Sequence, residues 1–480
     1  MPYETVIGIE VHVELDTDSK LFCGCSTSFG APPNTQTCPV CLGLPGSLPV
    51  MNRTAFDLAL KAALALNCTV NRTTAFDRKN YYYPDLPKNY QISQSYRNLG
   101  ENGHLDFLVD GETKRVGITN VHLEEDAGKL VHSEGTAESY SLVDLNRTGR
   151  PLLEIVSEPD MRSSREVDAF MRELRNVLLY IGVSDCKMQE GKLRFEPSIS
   201  LRPEGRTELG ARMEIKNVGS ISAVVKAVEF EVQRQTELLD NGEEMSPETR
   251  LWDERLNRTV SMRRKETSAD YRYFPEPDLV EVEIDEAWKQ RLREAIPELP
   301  AAKRVRYCRD LDLSDYDAGV LTDDHTLAEY FERCVAEQTG SPKEISKWII
   351  NDVLRLLNEK GIAVEAFSVS PAHLATLAAM VEKGEISVVN GREVFAEMAA
   401  TGAAPAEIVK AKGLTQISDD SAIAEIVDRV LADNPQVVAD WKAGKKAAFN
   451  ALIGPVMRET KGKANPKVVR EVLQKRLAEQ

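Results

Sequence analysis

The feature that most constrains the fold is an alternation of side-chain character near the N-terminus. In YETVIGIEVHVEL, residues 3–15, Ile9, Val11 and Val13 fall on one side of an extended chain and polar residues on the other. Three further segments are rich in Val, Ile and Leu with period-two stretches: 115–126, 140–146 and 152–158. The pattern predicts a sheet with one face in a core.

Helical patterns interrupt these strands and then replace them. Apolar residues recur at helical spacing in three early segments: 54–66, 164–181 and about 222–240. The strands are not spaced as regular βαβ units, so we predict an α+β fold on a mainly antiparallel sheet. After Pro297 and Pro300 helical periodicity dominates. We therefore expect three domains: a large one at 1–295, an all-α one at 296–403 and a small helical tail at 404–480.

Composition narrows the class of protein. The 480 residues are 42% hydrophobic and 28% charged, a soluble globular balance without an apolar run of about 18 residues. The N-terminus lacks the basic-then-apolar pattern of a signal peptide, so we expect a cytoplasmic protein with no membrane partner.

The charge is unevenly distributed. The net charge of −16 argues against binding nucleic acid over the whole surface. Residues 442–476, however, carry ten Lys/Arg and two Asp/Glu, a local balance of +8. An acidic body with a basic tail can hold a polyanion at one end. A solvated helix face is the alternative.

Acidic and histidine side chains share strand faces. Glu10, His12 and Glu14 point one way, and His122 and Glu124 are similarly related with Glu125 on the opposite face. Two carboxylates and an imidazole suit a divalent cation or proton transfer. An ordinary solvated charged face is the alternative.

Further carboxylates lie on other strands. Glu154 sits in a strongly apolar strand, where an unpaired carboxylate is costly, and Glu214 shares a strand face with Lys216. We hypothesise that these strands converge on Mg²⁺ in one cleft. The chain has neither G-x-x-x-x-G-K-[ST] nor G-x-G-x-x-G, so a nucleotide must be held by metal and scattered cations. The candidates are Arg78, Lys79, Lys88, Arg147, Arg150, Arg194 and Arg202.

Two loops complete the motifs. Cys23, Cys25, Cys38 and Cys41 form two close pairs in loop 23–41, a spacing that favours a structural tetrahedral Zn²⁺ over unligated thiols. The segment 77–94, DRKNYYYPDLPKNYQISQ, interleaves tyrosines with cations. It can stack a base or a terminal adenosine, or it can be a packed Pro/Tyr loop.

Taken together, these strings resemble the B subunit of the tRNA-dependent amidotransferase, which acts on glutamyl-tRNA(Gln) and aspartyl-tRNA(Asn). The matching strings run in order from residue 4 to the tail: ETVIGIEVHVEL (4–15), FDRKNYYYPDLPKNYQISQ (76–94), HLEEDAGK (122–129), SLVDLNRTGRPLLEIVSEPD (141–160), ISLRP (199–203), ETRLWDE (248–254), DYRYFPEPDL (270–279) and TKGKANP (460–466). The resemblance therefore covers essentially the whole chain.

The resemblance implies a cradle-like catalytic domain related in fold to glutamine synthetase. It implies that ATP and Mg²⁺ phosphorylate the side-chain carboxylate of misattached Glu or Asp, and that ammonia then displaces phosphate. The ammonia is expected to come from a partner amidase (A) subunit through an internal channel, with a small C subunit completing a heterotrimer. The helical and tail domains are expected to recognise misacylated tRNA.

The resemblance also assigns roles to residues. His12, Glu125 and Glu154 are implied as holders of the main Mg²⁺ and as catalytic residues, with Glu10 and Glu124 as candidates for a second ion. Strand alternation favours Glu124 beside His122, whereas the resemblance favours Glu125. The remaining expected site residues are Glu214 for metal, Lys79, Lys88, Arg194 and Glu196 for nucleotide or acceptor end, and Lys461, Lys463 and Lys467 for tRNA.

The sequence departs from the family at one string. Where many members read RCDANIS, this chain reads RFEPSIS at 194–200, so Glu196 and Ser198 replace Asp and Asn. If the family's Asp contacts metal or nucleotide, Glu196 must do so from one methylene further back. Zinc is a structural option because some members lack the cysteines. Two rival functions stay open at this point: a self-contained carboxylate–amine ligase and a non-catalytic tRNA-binding scaffold.

Overall fold

A computed structural model describes residues 2–132, 140–264, 268–416, 420–442, 445, 447–460 and 464–479. The chain divides into two compact units, Met1–Ala301 and Ala302–Gln480, and each is described by itself. Among the described residues, no helix combines the length and apolar character needed to cross a bilayer.

The first unit carries the β-structure. Its strands are β1 Tyr3–Glu14, β2 Thr69–Val70, β3 Thr73–Thr74, β4 Asp77–Asn80, β5 Tyr90–Ser93, β6 Gly100–Val109, β7 Glu112–Glu125, β8 Lys129–His132, β9 Ser141–Asp144, β10 Pro151–Ser157, β11 Leu193–Pro203, β12 Met213–Lys216, β13 Glu248–Asp253, β14 Arg258–Arg264, β15 Phe274–Pro275 and β16 Val282–Glu283.

A nine-stranded sheet dominates this unit, in the order β14-β13-β12-β11-β1-β10-β7-β6-β2. Only the β12–β13 pair is parallel among its described pairings, so the fold is α+β on a large mixed sheet that is mostly antiparallel. The strand predicted at 140–146 lies outside it, because β9 pairs with β8 in a separate two-stranded antiparallel sheet. A three-stranded sheet, β15-β4-β5, carries the tyrosine-rich segment.

The helices of the first unit are α1 Arg53–Ala65, α2 Ser164–Tyr180, α3 Ile221–Asp240 and α4 Glu286–Glu294. Side chains of Asn52, Ser163 and Ser220 cap the first three by accepting hydrogen bonds from backbone N–H groups of the first turn. These helices contact β6, β7 and β11 and share one hydrophobic core with alternate strand residues such as Val11 and Ile155. The opposite sheet face is thus left for polar side chains.

The second unit is helical. Its elements are α5 Pro300–Leu311, which starts at the division between units, α6 Asp315–Thr322, α7 His325–Ala336, α8 Pro342–Trp348, a π-helical turn Ile349–Val353, α9 Leu354–Lys360, α10 Pro371–Glu382, α11 Val388–Thr401, α12 Pro405–Lys412, α13 Asp420–Asp433, α14 Pro435–Lys442, α15 Ala447–Glu459 and α16 Pro466–Glu479. Buried side chains form one cluster between Tyr307 and Val409 and another between Ile423 and Leu477. The domain divisions at 295 and 403 remain predictions.

Candidate active site

Strand pairing brings the predicted acidic and histidine side chains into adjacent rows. His12 on β1 lies opposite Arg194 on β11 and Glu154 on β10, and Glu154 lies opposite His122 on β7. Glu124, two residues beyond His122, shares its face. The row therefore runs across four neighbouring strands on the face that the helices leave open.

His12, Glu124 and Glu154 form a compact group. The His12 Nε2 atom is 3.5 Å from Glu124 Oε1 and 3.6 Å from Glu154 Oε2. Donor atoms of these three residues lie within 4.8 Å of one another. Side-chain exposure is 15% for His12, 4% for Glu124 and 14% for Glu154, so the group is largely screened from water.

The two carboxylates of this group repel each other. Burial and the charge of Glu154 raise the pKa of the Glu124 carboxyl. Burial works the same way on Glu154, but the neighbouring His122 and His12 outweigh it and lower the pKa of Glu154. His12 Nδ1 is buried without a hydrogen-bond partner. Two close carboxylates beside an imidazole fit a divalent cation such as Mg²⁺ or Mn²⁺.

His122 supports Glu154 from the side. Its Nε2 lies 3.1 Å from Glu154 Oε2, and its Nδ1 lies 2.9 Å from Asn120 Oδ1. Burial lowers the pKa of His122, but the charge and hydrogen bond of Glu154 raise it by more, so the pKa of His122 is raised overall. Contacts of this kind orient a ligating carboxylate. Sequence reasoning placed His122 on the correct strand face without assigning it a role.

The structure does not bring Glu125 to this group. Glu125 follows Glu124 directly, so its side chain projects from the opposite face. There its Oε1 accepts hydrogen bonds from the Lys88 ammonium and from the Ile92 N–H at 2.8 Å. Both members of the Lys88–Glu125 ion pair are buried. They line a cavity of about 70 Å³ with Cys23 and other residues of the cysteine loop, so Lys88 also lies apart from the His12 group.

A second carboxylate cluster forms from Glu10, Glu196 and Glu214, whose oxygen atoms lie within 4.8 Å of one another. Glu10 is paired with Glu196 across β1 and β11, and Ser198 lies opposite Glu214. Glu10 is therefore grouped with Glu196 and Glu214 instead of with Glu124. Glu196, at the departure from the family string, occupies the centre of this cluster.

Lys216 accompanies the second cluster. Its Nζ lies 2.8 Å from Glu196 Oε2 and 3.1 Å from Glu214 Oε1. Burial lowers the pKa of Lys216, but the two carboxylates raise it above its usual range. Lys79 on β4 has the same relation to the first cluster, since Glu124 and Glu154 overcome the effect of burial and raise the pKa of Lys79.

An open cleft of about 1020 Å³ is lined by both lysines. Lys79 lies within electrostatic reach of the first cluster and Lys216 contacts the second, so these two lysines connect the cleft to both clusters. Its other lining residues are Asn80, Tyr81, Tyr82, Tyr83, Pro84, Asp270, Tyr271 and Arg272. The Lys79 ammonium is 4.9 Å from the centre of the Tyr271 ring, and Tyr82 is 80% exposed. Cations and exposed rings in one cleft can hold phosphates and stack a base.

The other predicted cations differ in availability. Arg194 is 3.6 Å from Asp126 and sits in the His12 row. Arg147 contacts the same aspartate at 3.4 Å. Three arginines are held by carboxylates elsewhere: Arg78 by Glu276 at 2.7 Å, Arg150 by Glu14 at 2.7 Å and Arg202 by Glu4 at 2.8 Å.

The four cysteines of loop 23–41 come together, with sulfur atoms within 4.8 Å of one another. A hydrogen bond from Cys23, supported by the Cys38 N–H and the Lys20 ammonium, lowers the pKa of Cys41 to about 4 despite its burial. Four thiol groups at this separation fit a tetrahedral Zn²⁺.

The tail is described only in part. Lys461 and Lys463 lie outside the described residues. Lys467 is exposed in the first turn of α16, where its backbone N–H donates to Asn465 Oδ1 at 3.0 Å. Several residues of the cleft, among them Lys216, Tyr271 and Arg272, were not predicted as site residues. Their signal was present in the strings MEIK and DYRYFPEPDL, but it could not be interpreted until the sheets were assembled.

The fold and the cleft define a catalytic α+β domain with acidic clusters suited to divalent cations and phosphate. The family described as "GatB/GatE catalytic domain" matches residues 5–290, and the family described as "GatB domain" matches residues 329–477.

Full-length relatives refine this class. The chain is 52% identical over 477 residues to the B subunit of the aspartyl/glutamyl-tRNA(Asn/Gln) amidotransferase of Moorella thermoacetica, covering 99% of this chain and 100% of the relative. It is 50% identical to the B subunits of the same name from Carboxydothermus hydrogenoformans (99% of both chains) and Geobacter sulfurreducens (99% of this chain, 100% of the relative). The chain belongs to the family of aspartyl/glutamyl-tRNA(Asn/Gln) amidotransferase B subunits, which confirms the resemblance seen in the sequence.

Proposed function

We propose that this chain is the activating subunit of a tRNA-dependent amidotransferase, working in the cytoplasm on Glu attached to tRNA(Gln), Asp attached to tRNA(Asn), or both. The observation that carries the proposal is a pair of acidic clusters whose neighbouring lysines, Lys79 and Lys216, line one cleft of about 1020 Å³. The metal-type side chains of the clusters and the cations of the cleft suit phosphate chemistry without a phosphate-binding glycine loop. The sheet with acidic side chains on its open face also supports relatedness to glutamine synthetase.

The chemistry needs activation because a carboxylate is a poor electrophile. The side-chain carboxylate of the esterified Glu or Asp attacks the γ-phosphorus of ATP, the bond to the ADP oxygen breaks, and an acyl phosphate forms. Ammonia then attacks the acyl carbon, phosphate leaves with the C–O electron pair, and the nitrogen loses a proton. The products are ADP, phosphate and the side-chain amide on tRNA.

The two acidic clusters would have separate roles. His12, Glu124 and Glu154 would hold one Mg²⁺, oriented by His122, and Glu10, Glu196 and Glu214 would hold a second. A bound Mg²⁺ would supply neutralisation of the negative charge on phosphate oxygens and on the attacking carboxylate.

The cations and rings serve the other parts of the substrates. Lys79, Lys216 and Arg194 offer positive charge to phosphates, and Tyr82 and Tyr271 offer rings to a base. Lys88 and Glu125 act elsewhere, beside the cysteine loop, and Cys23, Cys25, Cys38 and Cys41 would hold a structural Zn²⁺.

Partners follow from this assignment. The relatives are named as B subunits, and we propose an amidase subunit as the source of ammonia and a small third subunit that completes the complex. The helical unit and its basic tail would hold misacylated tRNA, with Lys461, Lys463 and Lys467 as contacts.

The proposal is tested by reconstitution. The chain with its amidase partner, ATP, glutamine and misacylated tRNA is expected to release ADP and to form the amide on tRNA in equal amounts. Activity on free glutamate without a partner would identify a self-contained ligase instead. Binding of tRNA without any nucleotide turnover would identify a scaffold.

The tail gives a separate prediction. Replacing exposed Lys467 by Glu is expected to weaken tRNA binding and to reduce the slope of log affinity against log salt by about 1, since one phosphate contact is lost. The measurement is a binding isotherm at several salt concentrations. Lys226→Glu, which changes an exposed lysine on α3 of the first unit, is the control. An unchanged slope for Lys467→Glu would remove this residue from the tRNA contacts.

A further inference from the structure

Lys20 has no role in the reaction proposed above, yet it lies against the four-cysteine cluster. Its side chain is 0% exposed, which makes it one of the largest fully buried side chains of the described chain. Its Nζ donates to Cys41 Sγ at 3.6 Å and to the backbone oxygen of Leu145 at 3.4 Å. Within the described residues, no carboxylate oxygen lies within 4.0 Å of this ammonium.

A buried ammonium without a negative partner is strongly unfavourable. The cysteine cluster supplies such a partner, because Cys41 Sγ lies beside the ammonium and four thiolates around one divalent cation leave a net negative charge. A neutral side chain at position 20 could contact the carbonyl of Leu145, but it could not balance that charge. The position of the ammonium is thus explained by the thiolates of the cluster, whose net charge is largest in the metal-loaded state.

Lys20 also joins the cluster to a neighbouring loop. Leu145 precedes Gly149, whose backbone oxygen accepts from the Leu21 N–H at 2.9 Å and whose N–H donates to the Asp126 oxygen at 2.8 Å. Gly149 has a φ of +82°, and a Cβ there would lie 3.5 Å from Cys41 Cβ, 3.6 Å from Lys20 Cδ and 3.8 Å from Glu125 Oε2, a carboxylate that is already paired with Lys88. These hydrogen bonds hold the start of the cysteine loop, through Gly149, to Asp126 just after the end of β7.

We infer that Lys20 is the charge-compensating and positioning residue of a tetrathiolate zinc centre. This inference rests on the proposed structural zinc, and it assigns to Lys20 the neutralisation of the loaded cluster and the attachment of Cys41 to the loop that begins at Leu145. Loss of the ammonium weakens metal binding without removing a ligand.

The test compares Lys20→Met with the unchanged chain in the metal-loaded and metal-free states. Zinc transfer to a chromogenic chelator is expected to be at least about 10-fold faster in the variant, as for other partners of metal ligands. Relative to the parent in the same state, the metal-loaded variant is expected to lose more in melting temperature than the metal-free variant, because the loaded cluster has more negative charge for the ammonium to balance. Cobalt-loaded protein should show a shifted thiolate charge-transfer band.

The control is Lys61→Met, which removes a half-buried lysine that donates to the Ile181 oxygen at 2.6 Å, remote in sequence from the cysteines. It should leave zinc transfer unchanged. Equal loss of stability with and without metal in Lys20→Met, or unchanged zinc transfer, would overturn the inference. If Lys20→Met does not fold, Lys20→Gln, which keeps a donor but no charge, provides the same comparison. A parent chain that binds no zinc would instead refute the zinc centre itself.

Discussion

Replacing Glu154 by Gln is expected to lower ADP release and amide formation on misacylated tRNA by at least about 100-fold, while the glutaminase rate of the partner amidase is retained. The reason is that Glu154 contacts both histidines of the site, at 3.6 Å from His12 and 3.1 Å from His122. The amide side chain keeps the size but supplies no negative charge for a cation. Single-turnover measurement of ADP with the reconstituted complex checks this.

Glu158→Gln is the matched control. Glu158 follows the same strand, is exposed, and accepts a hydrogen bond from Thr119 at 2.8 Å, so its replacement should leave the rate of ADP release unchanged. If Glu154→Gln released ADP as fast as the control, the carboxylate row would have no part in the activation step.

Adjacent glutamates are expected to respond in opposite ways. Glu124→Gln should lower Mn²⁺ affinity on the order of 100-fold without lowering the stability of the metal-free chain. Burial and the charge of Glu154 raise the pKa of Glu124 in the folded state. At neutral pH, which lies above the ordinary pKa of a carboxyl group, the ionised Glu124 therefore disfavours folding. Removing its charge therefore relieves a repulsion that metal normally balances.

Glu125→Gln should leave Mn²⁺ affinity unchanged and destabilise the chain. The Lys88 ammonium, only 6% exposed, would lose its buried negative partner, which costs about 3 kcal/mol in the free energy of unfolding. Manganese titration followed by electron paramagnetic resonance gives the affinities, and calorimetry of the metal-free variants gives the stabilities. The reverse pattern, with metal lost in Glu125→Gln, would show that Glu125 is the ligand.

The sequence predicted on which strand face the side chains of this site lie better than it predicted which residues form the site. Alternation correctly placed Glu10, His12 and Glu14 on one face and Glu124 with His122 on another, because period two is a property of any extended chain. The family resemblance favoured Glu125, but the register of β7 turns that side chain to the opposite face.

Long-range pairing could not be read from one sequence. The grouping of Glu10 with Glu196 and Glu214, and the place of Lys79 beside the first cluster, depend on which strands become neighbours. The helical unit was anticipated from the helical periodicity that dominates after Pro300, where α8, the π-helical turn and α9 follow one another directly. The hydrophobic pattern of the sequence does not distinguish the π-helical turn from the α-helices on either side of it.

The most direct test of the account is the position of the metal. Crystals of the complex grown with ATP and Mn²⁺ should show an anomalous peak bounded by His12, Glu124 and Glu154 on the open face of the sheet. A peak at Glu125 beside Lys88, or none within reach of His12, would contradict the central claim.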